Sequence, residues 1–98
     1  MDESNNVVEL CGTAAGRPEL SHTGRGENFY VFPLEVQRLS GICDRVNIVV
    51  RESMLEGMEV EQYERIYVRG ELRSFNNRSG KGSRLVITVF AKEIFFPG

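Results

Sequence analysis

The chain has 98 residues, 41% of them hydrophobic and 27% charged, with a formal net charge of −2. That is one domain's worth of chain; the balanced composition excludes a disordered or collagen-like protein, and no apolar run approaches the roughly 18 residues that cross a bilayer as a helix. Two cysteines, Cys11 and Cys43, do not make a disulfide framework, and a single histidine, His22, with no Cys-x-x-Cys pair gives no metal-ligand set.

The start, MDESNNVVEL, lacks the basic segment and long apolar stretch of a secretory signal, so a cytoplasmic location is expected. The first strand is predicted over Asn6–Ala15 and ends at Gly16, Arg17 and Pro18. The stretch Glu19–Glu27, ELSHTGRGE, reads as loop or a short extension, with Gly24 and Gly26 as breakers. The second strand, Asn28–Arg38, alternates cleanly: Tyr30, Phe32, Leu34 and Val36 share one face, and Phe29, Val31, Pro33, Glu35 and Gln37 the other. Leu39–Asp44 is a connecting loop. In the third strand, Arg45–Arg51, Val46, Ile48 and Val50 oppose Arg45, Asn47, Val49 and Arg51.

Glu52–Glu64 is the one stretch with a helical pattern, through Met54, Leu55 and Met58, and Gly57 is placed to stop it early. The fourth strand, Arg65–Phe75, puts Ile66, Val68, Gly70, Leu72 and Ser74 on one face. Tyr67, Arg69, Glu71, Arg73 and Phe75 take the other. Asn76–Ser83, NNRSGKGS, reads as a flexible basic hairpin tip. The fifth strand, Arg84–Phe96, is apolar on both faces for much of its length. Three strands, a short helix and a two-strand hairpin make the order of an all-β, five-stranded Greek-key OB-fold barrel, with the helix between strands three and four. Gly70, in mid-strand, suits a sharp barrel bend. One such domain is expected over residues 1–98.

Charge is unevenly spread. Residues 1–64 hold five arginines against twelve carboxylates, whereas residues 65–98 hold seven lysines and arginines against two. Local potential decides where a polyanion sits. Arg45, Asn47 and Arg51 on the third strand, with Tyr67, Arg69, Arg73 and Phe75 on the fourth, form a candidate nucleic-acid face. Arg78, Lys81 and Arg84 extend it on the hairpin. Cations meet phosphates and release counterions, and aromatic rings stack unpaired bases. Charge on an exposed strand also has a plainer use, since it guards sheet edges against aggregation. Phe29 is a further candidate platform, or a ring covered by the Glu19–Glu27 loop. His22, Ser21, Thr23 and Cys43 have no sequence-local catalytic partner, so no enzyme is expected and no cofactor is implied.

The stretches VVELCGTAAGRPEL, FPLEVQR, RVNIVV, IYVRGELRS and LVITVFAKEI together resemble the bacterial single-stranded DNA-binding protein family, over about residues 6–96. The resemblance implies binding of single-stranded DNA in replication, replication restart or repair. It also implies a homodimer in which first strands pair across a two-fold axis, placing Val7, Glu9 and Cys11 at the interface, and a bacterial, nucleoid-associated setting with replication or primosome proteins as partners. Nothing in the residues separates DNA from RNA.

Two departures stand out. Where the family stacks bases on aromatics at the two ends of strand three, this chain has Arg45 and Arg51. The hairpin aromatic falls near Asn77, with Phe75 two residues earlier, and the aromatic of the strand two–three loop is matched by about Ser40. The family's acidic tail has no counterpart after Phe96. A truncated N-terminal domain of a longer protein, the tailless PriB-like branch or a divergent tandem-domain variant is therefore expected. A protein-interaction and dimerisation module, docking through the acidic stretch Glu52–Glu64, is the alternative.

Overall fold

Apolar residues at every second position can bury one face of a strand and leave the other wet. In the computed structural model, which describes residues 5–79 and 82–97, Phe32, Leu34, Ile48, Val50, Ile66, Val68 and Val89 are all buried. They come from β3 (Glu27–Gln37), β4 (Cys43–Arg51), β5 (Arg65–Ser79) and β6 (Gly82–Phe95). β1 (Val8–Ala14) adds Ala14 to the same core. The strands run in the order β1-β5-β6-β4-β3-β2, and β1 returns to β3 through Thr13↔Glu35 and Ala14↔Leu34. β4 and β6 pair in parallel, as the Greek-key crossover requires, and the other pairs are antiparallel.

The OB barrel is therefore as expected, with one strand more than the sequence reading counts. The extra strand is β2 (Glu19–Gly24), in the segment expected to be loop. It forms a hairpin with β3 through Arg25 and Gly26, whose φ of 52° and 78° suit the tight turns that match strand twist. Residues 19–23 are all exposed, so no hydrophobic period marks the strand. The expected loop at Asn76–Ser83 is likewise mostly ladder: β5 and β6 stay in register out to Ser79↔Gly82.

The helix is shorter than its pattern. α1 (Glu52–Leu55) is a single turn, and Gly57 at φ 78° breaks away as anticipated. Met54, Leu55 and Met58 still pack against one end of the barrel. The following segment is tied to β1 by Tyr63 N donating to Ala14 O (2.7 Å) and Ala14 N donating to Glu64 O (2.9 Å).

One irregularity shapes the outer surface. The β5–β6 register passes from Arg69↔Glu93 to Gly70↔Ala91, so Lys92 is an extra, bulged residue on β6. The bulge lets Ile94 and Ala91, three residues apart, both face inward. Beyond it, Phe90, Thr88 and Val86 stand opposite Glu71, Arg73 and Phe75. Among the described residues no helix is long and apolar enough to cross a membrane.

Candidate nucleic-acid interface

Register alone places two rows of side chains across the outside of the sheet. Val31, Val49, Phe90 and Glu71 form one row, and Pro33, Asn47, Thr88 and Arg73 the next. Arg51 opposite Phe29 and Arg45 opposite Glu35 flank them. Phe90 is the centre of this surface. It is only 6% exposed, yet it is not part of the core cluster. It is covered from outside. The guanidinium carbon of Arg73 lies 4.0 Å from the ring centroid, and Arg51 Cζ and Lys92 Nζ each lie at 5.5 Å. A cation over a ring face within about 6 Å is attracted by the ring quadrupole. Phe29 meets Phe90 with centroids 6.0 Å apart, and His22 stacks on Phe29 at 4.7 Å with the rings 13° from parallel. The outcome is an aromatic line from β2 through β3 to β6, roofed by cations.

Each arginine of this face also has a carboxylate. Arg45 pairs with Glu35 across β3–β4 at 2.7 Å, and Arg51 with Glu27 at 3.5 Å. Arg73 donates from Nε to Glu71 Oε1 (2.8 Å), and its terminal nitrogen reaches the same oxygen. Glu71 is consequently held below the ordinary carboxyl range, first by that hydrogen bond; partial burial opposes, and the nearby charges of Arg73 and Lys92 assist. Opposite charges across neighbouring strands support register, and as exposed, solvent-screened pairs each contributes little to stability. Among the described residues Arg84 and Lys92 form no ion pair. Phe75 is 53% exposed on the projecting hairpin, opposite Val86.

The ten residues singled out from sequence do not form one patch. Arg51 and Arg73 converge on Phe90, Asn47 stands in the adjoining row and Arg45 two residues beyond it on β4, and Phe75 and Arg84 lie further out on the hairpin. Tyr67 and Arg69 stand apart. Tyr67 is six residues from Arg73, about 20 Å of strand, and it pairs with Cys11 and Phe95. Its hydroxyl donates to the Glu9 carboxylate, and its ring tilts against Phe95 at 5.8 Å. That hydrogen bond is the main cause of a phenol pKa raised above 10. Arg69 is opposite Glu9 and ion-paired with Glu93 at 3.1 Å. Both belong with β1. Lys81 and the side chain of Arg78 lie outside the described residues.

Three residues of the site escaped the sequence reading. Phe90 and Lys92 sat in a strand that looks apolar on both faces; the alternation Thr88-x-Phe90-x-Lys92 was the available sign that Phe90 shares the polar side. His22 read as a loop residue because β2 did. The ring that covers Phe29 is thus His22, from within the segment expected to cover it.

Val7, Glu9 and Cys11 lie on or next to β1, whose pairing with β5 runs from Val8 to Thr13. β3 reaches β1 only at Thr13 and Ala14. Among the described residues the other edge of β1 from Val8 to Cys11 therefore has no strand beside it, whereas Gly12 already packs against the Glu35 backbone of β3. Among the described residues no group of histidine, cysteine, aspartate and glutamate could hold a metal ion.

No family model matches the sequence, and no curated protein matches it. Solved structures do. The N-terminal domain of PriB from Thermoanaerobacter tencongensis, solved as a dimer, is 39% identical with a TM-score of 0.83; the match covers 97% of this chain and 99% of that one. A Plasmodium falciparum SSB in complex with single-stranded DNA is 16% identical with a TM-score of 0.76, over 100% of this chain and 99% of that one, a likeness of fold.

Proposed function

The chain belongs to the PriB family, and from that premise we propose that it binds single-stranded DNA, without catalysis, as a homodimer serving replication or replication restart. The observation that carries the reading is the cation-roofed aromatic line of His22, Phe29 and Phe90 on an open sheet face. Single strands expose flat bases and a charged backbone together; His22 over Phe29 and the guanidinium of Arg73 over Phe90 offer flat surfaces to the bases, and the surrounding cations face the phosphates. Arg45, Asn47, Arg51 and Arg73 form the central contact. Phe75 and Arg84, with Arg78 and Lys81, extend it along the hairpin. The open edge of β1, with Val7, Glu9 and Cys11, joins two subunits, and Tyr67 and Arg69 support that edge. The domain, spanning 1–98, works in the cytoplasm. Primosome or other replication proteins are the partners that such a role implies.

The test is a titration of the protein into a fluorescently labelled oligo-dT at two salt concentrations. Binding that weakens as salt rises is expected, because phosphate contacts release counterions. No binding at the lower salt would overturn the reading.

A further inference from the structure

We propose that Arg73 is a stacking plate for a nucleobase, held flat by Phe90 and Glu71, and not a clamp for phosphate. The inference rests on the single-strand reading above and assigns the chemistry of its central residue.

A guanidinium recognises ligands in two ways: its N–H edges take carboxylate or phosphate, and its planes take π systems. In Arg73 the Nε edge is occupied. Nε and a terminal nitrogen both address Glu71 Oε1. Glu71 stays ionised at neutral pH, since Arg73 and Lys92 hold its pKa below the usual 4.5. A phosphate approaching that edge would meet a fixed carboxylate, so the pair is close to neutral toward a polyanion. One plane is occupied as well, by Phe90 at 4.0 Å. The side chain is nonetheless 50% exposed, and with the Nε edge and the face toward Phe90 covered, the outer face and the Nη1 end remain; Glu71 sets its charge against a phosphate at that end and leaves the face open to a neutral base. A neutral, flat base can lie there unopposed by Glu71. Arginine at this place, ringed by partners that fix its orientation before any ligand arrives, loses little freedom on binding. The same arrangement supplies a platform in a chain with Arg45 near the start of β4 and Arg51 at its end.

Arg73→Lys keeps the charge and removes the plane; Arg73→Gln removes the charge; Phe90→Leu removes the ring beneath while keeping an apolar filler. Each is titrated against labelled oligo-dT and against an abasic oligomer of equal length, over a salt series. For the wild type, tighter binding to oligo-dT than to the abasic strand is expected. Arg73→Lys and Phe90→Leu are expected to lose about fivefold or more on oligo-dT, the loss of one stacked base, with little change on the abasic strand and an unchanged salt slope. If Arg73→Lys binds oligo-dT like the wild type while Arg73→Gln lowers the salt slope by about 0.7, as loss of one phosphate contact does, Arg73 is a phosphate clamp and the proposal fails. Phe90→Leu counts only if its thermal melt shows a folded protein; Arg73→Lys, on an exposed side chain, decides the matter alone. A wild type that binds neither strand at low salt overturns the single-strand reading itself, an outcome distinct from any result with the variants.

Discussion

A Cβ placed on Gly70 would lie 2.1 Å from the Phe90 carbonyl oxygen and 2.9 Å from Ala91 Cα. Those contacts are with backbone, so no rotamer change relieves them. The missing side chain is what lets β5 and β6 close together beside the Lys92 bulge, and the bulge is what presents Phe90 outward. Gly70→Ala is therefore expected to destabilise the protein by about 1–3 kcal/mol or more, the usual cost of overfilling a packed interior, read from the urea midpoint. A midpoint equal to wild type would show that the strands can part without penalty. Gly70 was legible from sequence because a glycine amid β-branched and charged neighbours has few other reasons to be there. Phe90 was not, because β6 has Val86, Ile87, Val89 and Phe90 on both faces and alternation cannot say which side is wet. The cation ring around it comes from three strands, β4, β5 and β6, and only their register brings Arg51, Arg73 and Lys92 together.

Elements were legible in proportion to how unequal their two faces are. β3 and the barrel half of β5 bury one side and wet the other, so a period of two survives in the sequence. β2 is wet on both sides and the hairpin half of β5 nearly so, and there turn-forming residues outweigh a pattern that does not exist. β1 presents a different problem: a strand with an open edge carries unpaired backbone N–H and C=O groups that recruit another strand. Pairing of two β1 strands about a two-fold axis satisfies both copies at once. Like charges on facing strands oppose such pairing, and β1 already carries Glu9, which Tyr67 holds in place. Val7→Asp combined with Cys11→Asp, at two exposed positions, is expected to convert the dimer proposed above to monomer with the fold retained. Sedimentation equilibrium with circular dichroism checks both. A variant that remains dimeric would move the interface away from β1.

At the scale of the molecule, the ion pairs among the described residues put Arg17, Arg38, Arg45, Arg51, Arg69 and Arg73 beside carboxylates, and each pair lies within residues 1–64 or within residues 65–98, so the pairing leaves the basic excess of the final third in place. The excess is legible from sequence; the partner of each arginine is not, because Glu35 reaches Arg45, and Glu27 reaches Arg51, only through the pairing of β3 with β4. The pairing has a consequence for acid stability. Arg38 donates to both oxygens of Asp44 at 2.7 Å, lowering that carboxyl below 3.8, first through the hydrogen bond. Arg73 lowers Glu71 below 4.5 in the same manner. A carboxyl whose folded pKa is depressed contributes stability above its unfolded pKa and loses it as pH falls through the folded value. The contribution is thus complete above about pH 5 and disappears progressively below the two ordinary values, 3.8 for Asp44 and 4.5 for Glu71. The melting temperature is expected to hold from about pH 8 down to about pH 5 and then fall. Asp44→Asn with Glu71→Gln is expected to melt lower near neutrality and to lose less on acidification, because groups that no longer titrate cannot couple folding to protons. Both pairs are exposed, so the difference is modest. Parallel acid profiles for the variant and the wild type would mean that other carboxylates carry the proton linkage.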